Sequence, residues 1–251
     1  MARPFILDEL TWATVRDSRY EVVVLPWGAT EAHNFHLPYA TDNIETKEIA
    51  ALAAERAWSQ GAKVVVLPVM PFGVNTGQLD IPLCINMNPS TQAAVLRDVA
   101  SALAGQGIPK LVILNGHGGN EFRQMIRELQ PQTSLFLCVV NWYQVIDPQP
   151  FFTDLGDHAG ELETSVMLHV APDFVRPLSE AGAGTARRFK ISGLREGWAP
   201  RQWPAVTDDT GVGNPAAATA EKGRRYVEAV TKKIAGFLVD LARADLNSLY
   251  E

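Results

Sequence analysis

Apolar residues along this chain come in two textures that alternate. Three runs, Glu21-VVVLP, Lys63-VVVLP and Lys110-LVILN, are short, continuously apolar and rich in β-branched residues. Strands of a parallel sheet covered on both faces read this way, because neither side of the strand meets water. Ser134-LFLCVV reads as a fourth. Between these runs the apolar positions recur at helical spacing, over about 43–60, 91–106 and 121–129, and each segment stops near Gly or Pro. Strand and helix therefore alternate, the pattern of a parallel sheet joined by right-handed crossovers.

After Asp147 the rhythm loosens. A Pro and Phe stretch leads to a helix over about 160–170, and a Gly- and Pro-rich region follows over 171–215, holding Trp198 and Trp203 among Arg and Pro. A stretch of that length reads as an ordered excursion covering a site or a subunit contact. A last helix is expected over about 216–244, with Tyr226, Val230, Ile234, Leu238 and Leu241 on one core-facing stripe. Without a repeat, a low-complexity segment or a linker, residues 1–251 are expected to form one α/β domain.

Composition removes several classes of function. Of 251 residues, 47% are hydrophobic and 20% charged, which excludes a disordered or fibrous chain. The net charge of -6, with no block of Lys or Arg to follow a phosphate backbone, argues against nucleic acid as a partner. The opening MARPFILDEL lacks the apolar run of a signal peptide and no stretch is apolar enough to span a bilayer, so a cytoplasmic protein without a membrane partner is expected. The two cysteines, Cys84 and Cys138, lack the spacing of a redox or zinc motif and read as small hydrophobes.

Chemistry collects where the histidines fall. Four of the five follow expected strands: His33 and His36 after the first, His117 after the third, His158 after the fourth. Loops at the carboxyl ends of parallel strands line the crevice where ligands bind, so these imidazoles are expected to converge. In Leu25-PWGATEAHNFHLPYATD, Glu31, His33 and Asp42 supply two carboxylates and an imidazole, a donor mixture that zinc and manganese accept. Asp42 also opens a helix, where an ordinary N-cap is the competing role. In Asn115-GHGGN, His117 sits among glycines before a helix expected to begin near Asn120, whose N–H groups would face the same place. A metal ligand and a turn cap compete for that histidine. In Asp157-HAGELETS, His158 reads as a proton shuttle or a cap, and of Glu161 and Glu163 at least one serves only the helix start. His169, late in that helix, reads as a packed side chain.

These motifs resemble the creatininase, or creatinine amidohydrolase, family. Its Glu-x-His, His-Leu-Pro and Thr-Asp elements match Glu31-Ala-His33, His36-Leu-Pro38 and Thr41-Asp42, its Asn-Gly-His-Gly-Gly-Asn matches 115–120, and its His-Ala-Gly with a following Glu-Thr matches 158–164. The resemblance implies a layered α/β/α fold, a hexamer, and two divalent ions per subunit, zinc, manganese or iron. It implies that Asp42 bridges the ions, that Glu31 and His117 hold one and His33 the other, and that His158 is the acid/base group. Creatininase itself carries a glutamate ligand where Gly119 stands, so Glu163 is the candidate to complete the second metal. The loop Phe72-GVNTGQLD lacks the serine and histidine many members show, and Asn34-Phe35 replaces Gly-Pro, so creatinine is not the expected substrate.

The expectation is a metal-dependent hydrolase in which a metal-held water attacks the C–N bond of a small cyclic amide or formamide. Asn75, Gly118 and Trp142 are the candidate substrate contacts, although an aromatic at 142 is equally often packing. Two other readings stand beside it. One is ring opening of a cyclic ketone or lactone derived from a sugar or cyclitol, for which Asn34, Asn75, Thr76 and Gln78 give a hydroxyl-friendly pocket. The other is a non-catalytic metal- or metabolite-binding protein on the same fold.

Overall fold

The computed structural model describes residues 2–250, the Arg195 side chain excepted. In chain order its helices and strands are α1 (Trp12–Arg16), β1 (Val22–Trp27), α2 (Thr41–Ser59), β2 (Val64–Val66), α3 (Pro89–Gly105), β3 (Lys110–Asn115), α4 (Arg123–Leu129), β4 (Phe136–Asn141), α5 (Glu161–Val170), α6 (Trp203–Val206) and α7 (Ala220–Arg243). The four strands form one parallel sheet in the order β2-β1-β3-β4.

Alternation along each strand sends side chains to opposite faces. Val22, Val24, Val112 and Leu114 pack against α2 and α7, where Ile49, Tyr226, Val230 and Leu238 complete one core. Val23, Leu25, Trp27, Leu111 and Ile113 pack against Leu96 and Ala100 of α3 and Met125 and Leu129 of α4. Full burial of each such Leu, Ile or Val contributes roughly 1.5–3 kcal/mol. The result is the layered α/β/α arrangement, with every residue of β1 and β3 buried.

Register decides where function can sit. Trp27 and Asn115, the last residues of β1 and β3, lie opposite one another, so the loops that follow both central strands start side by side. The loop after β1 carries Glu31 to Asp42 and the loop after β3 carries His117.

Three expected boundaries move. β2 is only three residues long, because Pro68 has no N–H with which to continue the ladder. α4 begins at Arg123, since Gly118-Gly119-Asn120 forms a turn. α7 begins at Ala220, where the Thr219 side chain accepts from Lys222 N, and residues Pro215–Ala217 form a separate 3-10 turn.

The excursion 171–215 is stitched to the loop after β1. Asn34, at φ 54, is the centre of that stitch. Its side chain accepts from Gly182 N at 2.8 Å and donates to Gly182 O at 3.1 Å, while its N–H donates to Thr210 Oγ1 at 2.9 Å. Farther on, His158 and Val212 exchange a pair of backbone hydrogen bonds of 3.1 and 2.8 Å. Among the described residues no helix is long and apolar enough to cross a membrane.

Candidate metal centre

Six side chains from three stretches of sequence meet above the carboxyl ends of β1 and β3. They form overlapping donor triangles: Glu31, Asp42 and His117; His33, Asp42 and Glu163; and Glu31, His33 and His158, each with one donor atom per residue within 4.8 Å of the others. Asp42 belongs to two of them. It occupies the second position of α2, yet makes no cap bond; Ala40 is the residue before the helix. Its Oδ1 lies 2.9 Å from His33 Nε2 and its Oδ2 3.0 Å from His117 Nδ1. Of the two roles open from sequence, the carboxylate thus faces the histidines and leaves the helix start uncapped.

The outer nitrogen of each histidine rests on a backbone carbonyl. His33 Nδ1 donates to Glu31 O at 3.1 Å, His117 Nε2 to Val74 O at 3.0 Å, and His158 Nε2 to Ala32 O at 2.8 Å. A carbonyl only accepts, so each contact puts the proton on that nitrogen and leaves the other nitrogen of the neutral ring as a lone-pair donor. For His33 and His117 that free nitrogen is the one facing carboxylates. Outer partners of this kind orient imidazole ligands in metal sites. They are backbone atoms, and no side-chain motif announces them.

Electrostatics point the same way. Burial opposes charge on His33, but Asp42, through its charge and its hydrogen bond, outweighs it and raises the pKa to about 10. Burial likewise opposes charge on His117, and Glu31 with Asp42 raises it well above the ordinary value. Burial pushes Asp42 up, but the two imidazoles prevail and its pKa is lowered. Glu31 is also lowered, His117 and His158 prevailing over burial. Glu163 goes up, chiefly through burial. Concentrated buried charge of this kind is costly unless something of opposite sign compensates it.

The donor set fits a divalent cation. Glu31 Oε1 and Asp42 Oδ2 are buried without an aligned hydrogen-bond partner, although both approach His117 Nδ1, at 2.7 and 3.0 Å. One nitrogen cannot satisfy both oxygens, whereas a cation among the three would. Gly119 has a steric reason to lack a side chain: a Cβ there would lie 2.3 Å from Val74 O and 2.5 Å from His117 Nε2. A glutamate at this position is therefore excluded by the carbonyl that orients His117.

The centre opens into a cleft of about 710 Å³. Its walls include Asn75, Thr76, Gln78, Gly118 and Tyr143, and its rim carries Phe189, Trp198, Arg201 and Trp203 from the excursion. The Trp203 ring lies 4.7 Å from that of His158, and Arg201 pairs with Asp157. Asn75 is a buried cleft residue whose Nδ2 donates to Ile85 O at 3.2 Å while its Oδ1 has no partner.

Several sequence expectations need correction. Trp142 does not reach the cleft: it is buried against Tyr143 and Tyr226 in the core under α7, and Tyr143 forms the wall instead. His36 stays outside the centre, bonded through Nε2 to Thr164 Oγ1 at 2.8 Å, and burial, its largest influence, drops its pKa to about 4. Asn34 turns to the excursion rather than the cleft. The N–H groups of α4 begin too late to serve the His117 loop, whose turn is held by Asn120: its Oδ1 accepts from Val74 N and its Nδ2 donates to Asn115 Oδ1. Between the two acids of α5, Glu161 is the structural one, paired with Lys222 and accepting from Thr153 and Asp154, and Glu163 is the one that joins His33 and Asp42.

Comparison with known proteins gives the family and the fold. The family model described as creatinine amidohydrolase matches residues 8–238. A mycofactocin precursor peptide peptidase from Mycolicibacterium smegmatis (strain ATCC 700084 / mc(2)155) is 27% identical over 214 residues, covering 83% of this chain and 80% of that one. A crystal structure from Bacteroides fragilis NCTC 9343, provisionally assigned as a creatinine amidohydrolase, is 45% identical with a TM-score of 0.94 and covers 100% of both chains. A creatininase variant solved in a zinc–zinc form shares the fold, with a TM-score of 0.79, 24% identity and coverage of 97% and 100%.

Proposed function

This chain belongs to the creatininase family, and from that premise we propose that it is a dinuclear metal-dependent hydrolase that cuts a C–N bond of a small cyclic amide or formamide-type substrate. The observation that carries the reading is the shared carboxylate. Asp42 turns Oδ1 toward His33 and Oδ2 toward His117, so one residue serves both donor triangles. Glu31, Asp42 and His117 would hold one ion, and His33, Asp42 and Glu163 the other. Divalent ions bound there supply a water acidic enough to ionise near neutral pH and a positive charge beside the substrate carbonyl.

The side chains do the rest. His158 keeps its Nε2 proton on Ala32 O, so Nδ1 is the nitrogen that accepts a proton and returns it to the departing amine. Asn75 Oδ1, buried and free, accepts from a substrate N–H. Gly118 leaves the floor of the cleft open, with nothing within 4 Å of the place a Cβ would take. Trp203 covers His158 and keeps bulk water from it.

A second amide reading is favoured by the cleft itself. At about 710 Å³ with aromatic residues on its rim, it has room for a short peptide as well as a ring. Both readings break a C–N bond, and the hexamer expected from the family accommodates either. The test is elemental analysis of the purified protein, followed by turnover assays with zinc, manganese or iron restored, on cyclic amides, formamides, blocked short peptides and cyclic ketones. Metal-dependent hydrolysis of an amide C–N bond supports the proposal, and the best substrate separates ring from peptide. Opening of a cyclic ketone without amide turnover would replace it with hydrolysis of a C–C bond. Bound metal with no turnover of any of these would leave a binding protein.

A further inference from the structure

Gln78 takes no part in the scheme above, yet it is buried at the edge of the centre and its amide touches a proposed ligand. Its Nε2 donates to Glu31 Oε2. Its Oε1 accepts from Cys84 Sγ at 3.1 Å, and Cys84 Sγ accepts in turn from Ala32 N at 3.2 Å. Ala32 follows Glu31 in the chain, so the bonds close a ring that starts and ends at the same ligand: Ala32 N–H to Cys84 sulfur, Cys84 S–H to Gln78 oxygen, Gln78 N–H to Glu31 oxygen.

We propose that Gln78, oriented by Cys84, is a positioning residue that holds Glu31 as a one-oxygen ligand of the first ion. A carboxylate has two oxygens, and a free one can swing or bind through both. Gln78 occupies Oε2, which leaves Oε1, beside His117 Nδ1, as the oxygen available to a cation. An amide suits this task because it donates without carrying charge: it neither competes with the cation, as a protonated imidazole would, nor becomes a ligand through its nitrogen. An amide can also flip, presenting oxygen to oxygen. The Cys84 thiol prevents this, because its S–H donates to the amide and so selects the amide oxygen. The Ala32 N–H then fixes the sulfur. Each bond in the ring thus sets the direction of the next.

The inference rests on the two-ion reading, and the experiment separates the two. Metal-free protein is titrated with zinc by calorimetry, with bound zinc counted by elemental analysis, for wild type, E31Q, Q78L, C84A and C84S. Loss of an outer partner costs about 10–100-fold in metal affinity. Q78L is expected to weaken one of two zinc-binding events by about that factor while leaving the other in place. C84A should weaken the same event less, and C84S, which restores a donor, should return it toward wild type. The cysteine pair keeps the inference testable if Q78L fails to fold. Unchanged zinc binding in Q78L, equal weakening of both events, or identical behaviour of C84A and C84S would overturn it. If E31Q also binds zinc like wild type, or wild type binds none, the metal-centre reading falls as well; if E31Q is impaired and Q78L is not, only the role of Gln78 falls.

Discussion

Residues 28–42 and residues 171–215 both lie over the carboxyl ends of the strands, and they are built in opposite ways. The first segment is short and largely buried apart from Phe35 and Tyr39, with Glu31, His33 and Asp42 each at most 1% exposed. The second carries Phe189 at 52% and Trp198 at 86% exposure, and is held by 3-10 turns and a few hydrogen bonds to its neighbours. One segment holds its donor atoms in place through packing and backbone carbonyls. The other shapes what reaches them. Under the proposed function, chemistry falls to the buried part and selection to the exposed one, and substitutions in the two should fail differently.

The largest effect is expected at Asp42. D42A removes the carboxylate common to both triangles, so zinc content by elemental analysis should fall at both positions and turnover should drop to background; full retention of either ion would break the division. Next comes His158. H158A should lower kcat by roughly 10²–10⁴-fold with metal content unchanged, the loss ordinarily seen for a general acid/base. Unchanged turnover would remove His158 from the mechanism.

Metal removal comes third. His33 and His117 have raised pKa values, so in the metal-free protein they are protonated at neutral pH, and loading should release about two protons per chain, measurable by calorimetry in buffers of different ionisation enthalpy. The signs follow from linkage. Without metal, the stability contributed by His33 is complete below its ordinary value and is lost as pH rises through about 10. That contributed by Asp42 is present above its ordinary value and is lost only as pH falls through a lowered one. Metal affinity should therefore weaken as pH falls, and at a metal concentration about 1,000 times Kd the folded state should gain about 4 kcal/mol, seen as a rise in Tm.

The smallest effects belong to the excursion. N34G keeps the backbone free to adopt φ 54 but drops the side-chain clasp on Gly182. It should cost roughly 1–2 kcal/mol, raise KM more than it lowers kcat, and speed proteolysis within 171–215. R201Q frees a half-exposed pair with Asp157 and should change stability by less than about 1 kcal/mol. An equal fall in kcat for N34G and H158A would erase the contrast between the two segments.

The same contrast explains what could be read from the residues in advance. Val22 to Leu25 and Leu111 to Leu114 announce themselves because burial on both faces leaves an unbroken apolar run. Glu31, His33, Asp42 and His117 are legible because their donors sit in compact motifs after those strands. Glu163 is named only through the resemblance, and the structural role of Glu161 is not legible, since it turns on Lys222, 61 positions away. Nor were the carbonyls of Val74 and Ala32, which every residue possesses, or the Gln78 ring of bonds, which needs three separated residues to meet. Trp142 and Tyr143 are adjacent aromatics, and only the packing around Tyr226 decides which one faces the cleft.

The bond between His158 and Ala32 spans 126 positions of the chain. Closing so long a loop costs entropy that is recovered only when the sheet and α5 are already in place. During synthesis the loop after β1 emerges with Glu31, His33 and Asp42 long before its remaining partners exist. Under the two-ion proposal the donor set that waits for Glu163 is therefore completed last, a sign that folding has finished rather than a template for it, and a chain stopped before α5 would carry Glu31, Asp42 and His117 for the first ion but lack the full set for the second.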